Sequence, residues 1–111
     1  MVVLEHVAIE CDTVDHAKQF YENVLGCSLA KSFDLPIEFT EQVFSLKKEV
    51  KALVYKGEIG IFEVFITEES GNKTLVKGFS HVCISVDNIK EFFVHCEENG
   101  LRPFTVEKNK K

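Results

Sequence analysis

One short phrase occurs twice in this chain, and it constrains the fold more than any other feature. Leu4-Glu5-His6-Val7-Ala8-Ile9-Glu10-Cys11-Asp12 returns as Phe79-Ser80-His81-Val82-Cys83-Ile84-Ser85-Val86-Asp87, with His, Val, Ile and Asp identical at one common offset. Each copy alternates as a strand does and then runs into a segment whose apolar residues recur at helical spacing. Four identities at one offset mark an internal repeat of a strand–helix unit. A histidine stands at the same strand position in both copies.

In the first copy, alternation places Val3, Glu5, Val7 and Ile9 on one face and Leu4, His6, Ala8 and Glu10 on the other. Val7 and Ile9 are expected to pack on a helix, so His6 points to the opposite surface of the sheet. Asp12 or Thr13 can cap a helix over 13–25, because a short side-chain oxygen accepts a bond from a first-turn amide. Val14, Ala17, Phe20, Tyr21 and Val24 form its apolar stripe, and Gly26 supplies a left-handed stop. Strands are expected over 27–33, 49–56 and 59–67, with a break at Leu35-Pro36-Ile37, an ambiguous stretch over 39–48 and a turn at Gly57-Glu58.

On the last of these strands Ile61, Glu63 and Phe65 share one face, which sets a carboxylate inside an apolar run. A polar connector over 68–77 separates the copies, giving a first module over 1–70 and a partial second over 71–111 within one domain. The second copy places His81, Cys83 and Ser85 on one face of its strand. A helix capped by Asp87 or Asn88 follows, with Ile89, Phe92, Phe93 and Cys96 apolar and Gly100 closing it; a short strand over 101–106 and a charged tail complete the chain.

Composition narrows the function classes. With 111 residues, 45% hydrophobic and 28% charged, the chain has ordinary globular usage and can build one small core. No run approaches the roughly 20 apolar residues of a spanning helix, and the N-terminus lacks a secretory pattern, so no membrane role and a cytoplasmic location are expected. A net charge of −5 and a pI of about 5.3 give no broad basic surface for nucleic acid. Cys11, Cys27, Cys83 and Cys96 have no zinc-ribbon spacing and are expected to be reduced, mostly as small core residues.

His6, Glu63 and His81 are the candidate metal ligands. Two imidazoles and a carboxylate form a donor set suited to Zn, Ni, Co or Fe, and three ligands leave positions open for a substrate. A single strand histidine is more often a hydrogen-bonded structural residue, but related packing alone does not demand its return in the second copy. An inward Glu63 is costly unless paired or coordinated; a solvated rim position is the alternative. Phe65 and Cys83 are candidate substrate-lining residues, although Cys83 reads more readily as a small filler equivalent to Ala8. His16 and His95, on helices, are expected to be solvated.

The phrase from Glu5-His6-Val7-Ala8-Ile9 through Phe20-Tyr21-Glu22-Asn23-Val24-Leu25-Gly26, its echo from Gly78 through Ile89, and the strand around Phe62-Glu63-Val64 resemble the vicinal oxygen chelate superfamily. That superfamily includes glyoxalases, methylmalonyl-CoA epimerases, extradiol dioxygenases and the fosfomycin and bleomycin resistance proteins. The resemblance implies an α+β fold of paired βαβββ modules whose curved sheets form a cleft, with ligands on the first and last strands of each module. His6, Glu63 and His81 match the first three ligand positions of the glyoxalase and epimerase pattern. The interval from His6 to Glu63, repeated from His81, runs past Lys111, so the second module reads as truncated before its fourth, acidic ligand.

Two functions follow as expectations. One is a metal-dependent lyase or isomerase acting on a small carbonyl compound through a metal-stabilised enediolate, with the catalytic base unassigned. The other is a binding or sequestering protein of the bleomycin-resistance type, which uses the cleft without metal. An open sheet edge leads to the expectation of a homodimer.

Overall fold

The computed structural model describes Val2, residues 4–67 and residues 84–105. His81, Cys83, the connector and the C-terminal tail lie outside the described residues. Those described form an α+β unit: β1 (Val7–Cys11), a helix beginning as α1 (Val14–Ala17), β2 (Ser28–Leu35), α2 (Ile37–Phe44), β3 (Val50–Gly57), β4 (Gly60–Ile66) and α3 (Ile89–Glu98). The sheet order is β1-β4-β3-β2. β4 runs parallel to β1 and antiparallel to β3, and β3 is antiparallel to β2. This is one βαβββ module, with α2 set between its second and third strands, followed by the helix of the second copy.

The first helix begins where the sequence places it. Thr13 takes the cap position, its Oγ1 accepting from the His16 amide at 3.1 Å. After Ala17 the winding widens to a π-helix over Lys18–Val24, seen in the Leu25 amide donating to the Phe20 carbonyl at 2.9 Å. Gly26, at φ +74°, ends it in the left-handed region that favours glycine. The helix lies on one face of the sheet, where Ala17, Tyr21, Cys27, Leu53, Tyr55, Phe62, Val64 and Ile66 form the main core. Tyr21 stacks on Tyr55 at 5.3 Å and meets Phe62 at the same distance. Each such large side chain contributes about 1.5–3 kcal/mol on burial, far more than helix propensity does. The Tyr55 hydroxyl donates to Glu22 at 3.1 Å. Gly57 is required for a different reason: a Cβ there would stand 2.9 Å from Cys27 Sγ.

A second core occupies the other face at one end of the sheet, where Leu35, Val50, Ala52 and Phe65 pack with Phe33, Phe44 and Leu46. The ambiguous stretch resolves here as α2, whose Phe44 ring meets Phe65 edge-on at 5.0 Å. Thr40 is fully buried, and its hydroxyl lies 3.1, 3.0 and 2.6 Å from the carbonyls of Ile37, Leu46 and Lys48. It ties α2 to the segment entering β3.

Several expectations are corrected. Val7 remains 39% exposed, because it begins an edge strand, whereas Ile9 packs against the main core. Residues 101–105 form no strand. His95 is not simply solvated: it is half-buried, with Nε2 3.1 Å from the Val24 carbonyl, and so links α3 to the end of the first helix. α3 starts at its expected cap, Asn88, whose side chain accepts from the Glu91 amide at 3.0 Å. Among the described residues no helix is long and apolar enough to cross a membrane.

Candidate functional site

α2 closes one end of the sheet's second face, and among the described residues the other end is open. The strand registers define what the open end presents. Ala8, Glu63, Val54 and Lys31 lie in one row across β1, β4, β3 and β2. Ile61 and Lys56 lie in the next row, level with His6, the residue before Val7, whose partner is Phe62. Alternation puts all of these side chains on the same face. All but Ala8 line, with Glu5, an open depression of about 310 Å³.

His6 and Glu63 converge there. The ring Nε2 lies 3.6 Å from the carboxylate Oε1, with side chains 42% and 22% exposed. Two donors bound to one divalent ion at about 2.1 Å each stand about 3.0–3.5 Å apart, so this spacing suits a shared ion with little movement. The nitrogen and carboxylate donors also suit a borderline first-row metal. The described residues thus supply two of the three proposed ligands, and among them no group of three His, Cys, Asp or Glu side chains is placed to hold a metal.

Phe65 shares the face of Glu63, as alternation requires, but lies only 7% exposed beneath Phe44. Lys31, Lys56 and Glu5 are the residues that sequence reasoning missed. Lys56 was accessible from the alternation of β3. Lys31 was not, because its orientation depends on a register irregularity between Leu29 and Lys31.

Titration behaviour elsewhere follows burial and pairing. Burial pushes the Tyr21 phenol up to about 12 and raises Tyr55, which also donates to Glu22. Burial likewise raises the thiols of Cys11, Cys27 and Cys96, all of them free. Asp12 is held below its ordinary value, chiefly by the hydrogen bond to His16 Nδ1 at 2.7 Å.

A mixed βαβββ sheet with one helix-covered face, and a histidine and a carboxylate brought together on its open face by parallel β1 and β4, defines the class of cleft-forming βαβββ proteins. The chain belongs to the Glyoxalase/Bleomycin resistance protein/Dioxygenase superfamily, the vicinal oxygen chelate proteins, matching its description over residues 3–108. It is 31% identical over 101 residues to the mitochondrial methylmalonyl-CoA epimerase of Bos taurus, covering 89% of this chain and 55% of that protein. The human mitochondrial methylmalonyl-CoA epimerase is 28% identical over 106 residues, covering 94% of this chain and 57% of that protein. The chain therefore spans a little over half the length of these relatives. A crystal structure of a glyoxalase family protein from Enterococcus faecalis superposes with a TM-score of 0.61 at 20% identity, covering 95% of this chain and 79% of that one, and shows the fold.

Proposed function

We propose that this chain is a metal-dependent isomerase or lyase of the epimerase and glyoxalase type, acting on a small carbonyl compound. The observation that carries the reading is the approach of His6 Nε2 to Glu63 Oε1 on the open face of the sheet. The repeat supplies His81 from the sequence as the third ligand. A divalent ion held by these residues would supply Lewis-acid polarisation of a substrate oxygen, which makes a proton beside a carbonyl easier to remove. Glu63, mostly covered among apolar neighbours, keeps a carboxylate where it can orient that group. Ile61 and Val54 give the depression an apolar floor that limits water.

The names of the epimerase relatives support the isomerase half of this reading. The domain reading belongs to it as well: one domain, with the first module over 1–70 and part of a second over 71–111. The test is the metal content of protein purified without added ions. Wild type is expected to carry divalent metal near stoichiometry, and His6→Ala to lose most of it. Equal metal in His6→Ala would overturn the proposed site, and tight binding of carbonyl ligands in the presence of a chelator would favour a sequestering protein instead.

A further inference from the structure

The ligand pair occupies only half of the depression. Across from it, on β2 and β3, stand Lys31 and Lys56, both exposed, with Val54 and Ile61 between the two sides. Neither lysine forms an ion pair with Glu5, Glu63 or any other described residue. Lys31 instead holds its ammonium 5.5 Å from the centre of the Phe33 ring. In a chain of net charge −5, these two cations, without an ion-pair partner among the described residues, give one wall of the depression a positive charge opposite Glu5 and Glu63.

The placement of Lys31 depends on a particular backbone feature. Ser28 pairs with Lys56 and Leu29 with Tyr55, but Lys31 pairs with Val54, leaving Ala30 without a partner. Counting by twos from Ser28, Lys31 would otherwise point toward the helix-covered face. The bulge turns it onto the open face, the re-aiming that β-bulges perform beside binding sites. The same shift brings Phe33 and Leu35 into the second core, so the bulge serves packing and the cleft together.

The register also sets a length. Glu63 and Lys31 are two strands apart in one row, about 10 Å between backbones at about 4.8 Å per strand. Lys31 rests its ammonium over Phe33, and a flexible lysine side chain swung from there toward the cleft would shorten this to several ångströms. A ligand whose vicinal oxygens face His6 and Glu63 thus meets a cation a few bonds away.

We propose that Lys31 and Lys56 select an anionic substrate, a small carbonyl compound bearing a carboxylate a few bonds from the oxygens that face His6 and Glu63. This rests on the ligand reading of His6 and Glu63. Two probes separate the charge from the chelating head: pyruvate, and 2-oxoglutarate, which has the same 2-oxo acid head and a second carboxylate. Calorimetric titration of the Zn²⁺-loaded full chain is expected to give roughly five- to tenfold tighter binding of 2-oxoglutarate than of pyruvate, the scale of one or two solvent-accessible ion pairs.

The double variant Lys31→Met, Lys56→Met is expected to lose that preference while pyruvate binding stays within about twofold. A preference that survives in the double variant, or that wild type lacks, overturns the proposal. His6→Ala tests the underlying reading separately: it is expected to weaken both probes together and leave no metal-dependent binding. Unchanged binding of both probes by His6→Ala overturns the ligand reading, whatever the lysine variants do to the ratio.

Discussion

Replacing Glu63 by leucine should make the metal-free protein more stable while abolishing the metal binding proposed for this site. The position is flanked on its face by Ala8 on β1, Val54 on β3, and Ile61 and Phe65 on its own strand, and the side chain is only 22% exposed. A leucine buried to that degree contributes about 1–2 kcal/mol relative to an exposed one. The carboxylate's contact with His6 at 3.6 Å involves a ring 42% exposed, and a pair so accessible contributes at most about 1 kcal/mol, and only when the ring is protonated.

The difference favours Glu63→Leu by about 0.5–1.5 kcal/mol at neutral pH. For a chain of this size that raises the melting temperature by roughly 4 °C per kcal/mol. Urea unfolding of chelator-treated wild type, Glu63→Leu and Glu63→Gln gives the stabilities, and metal analysis of the same preparations gives the loss of binding. Such a rise in stability with loss of function is the signature of a residue kept for its chemistry. A fall in stability of more than about 1 kcal/mol in Glu63→Leu would refute the reasoning, since Glu63 would then be holding the sheet together.

Two further outcomes concern the scaffold. Thr40→Val keeps the side-chain shape but leaves the carbonyls of Leu46 and Lys48 without the buried hydroxyl, and should cost about 1–3 kcal/mol in urea unfolding, whereas Thr40→Ser, which keeps the hydroxyl, should cost about 1 kcal/mol or less. The Asp12 carboxyl, held below 3.8 by His16, contributes stability that is complete above that pH and is lost as pH falls through the lower, folded-state value. Asp12→Asn should therefore melt below wild type at pH 5 and converge with it near pH 2, as followed by circular dichroism.

Much of the open face could be read before the structure was known, because strand alternation is a strict period of two. Ile61, Glu63 and Phe65 share a face, and His6 lies opposite the helix-facing Ile9, for that reason alone. The Thr13 cap and the Gly26 stop were equally local. α2 was not legible, since its eight residues are held less by a clean apolar stripe than by Phe44 against Phe65 and by the buried Thr40 hydroxyl. His95 escaped for the same reason: its partner is a backbone carbonyl on a distant helix end. The orientation of Lys31 was hidden because a bulge at Ala30 leaves no mark in residue type, yet it inverts every side chain beyond it.

The parallel contact of β1 with β4 joins the first and last strands of the module, with β4 inserted between β1 and β3. During synthesis His6 precedes Glu63, and β1 cannot pair with β4 until the strands between them have been made. A long loop must close before the two can meet, which places this contact among the slow, non-local events of folding. A ligand bridging His6 and Glu63 would therefore grip the two ends of the module at once. It would resist the opening of this non-local seam, so occupancy should be legible as protection of the β1 and β4 amides from hydrogen exchange.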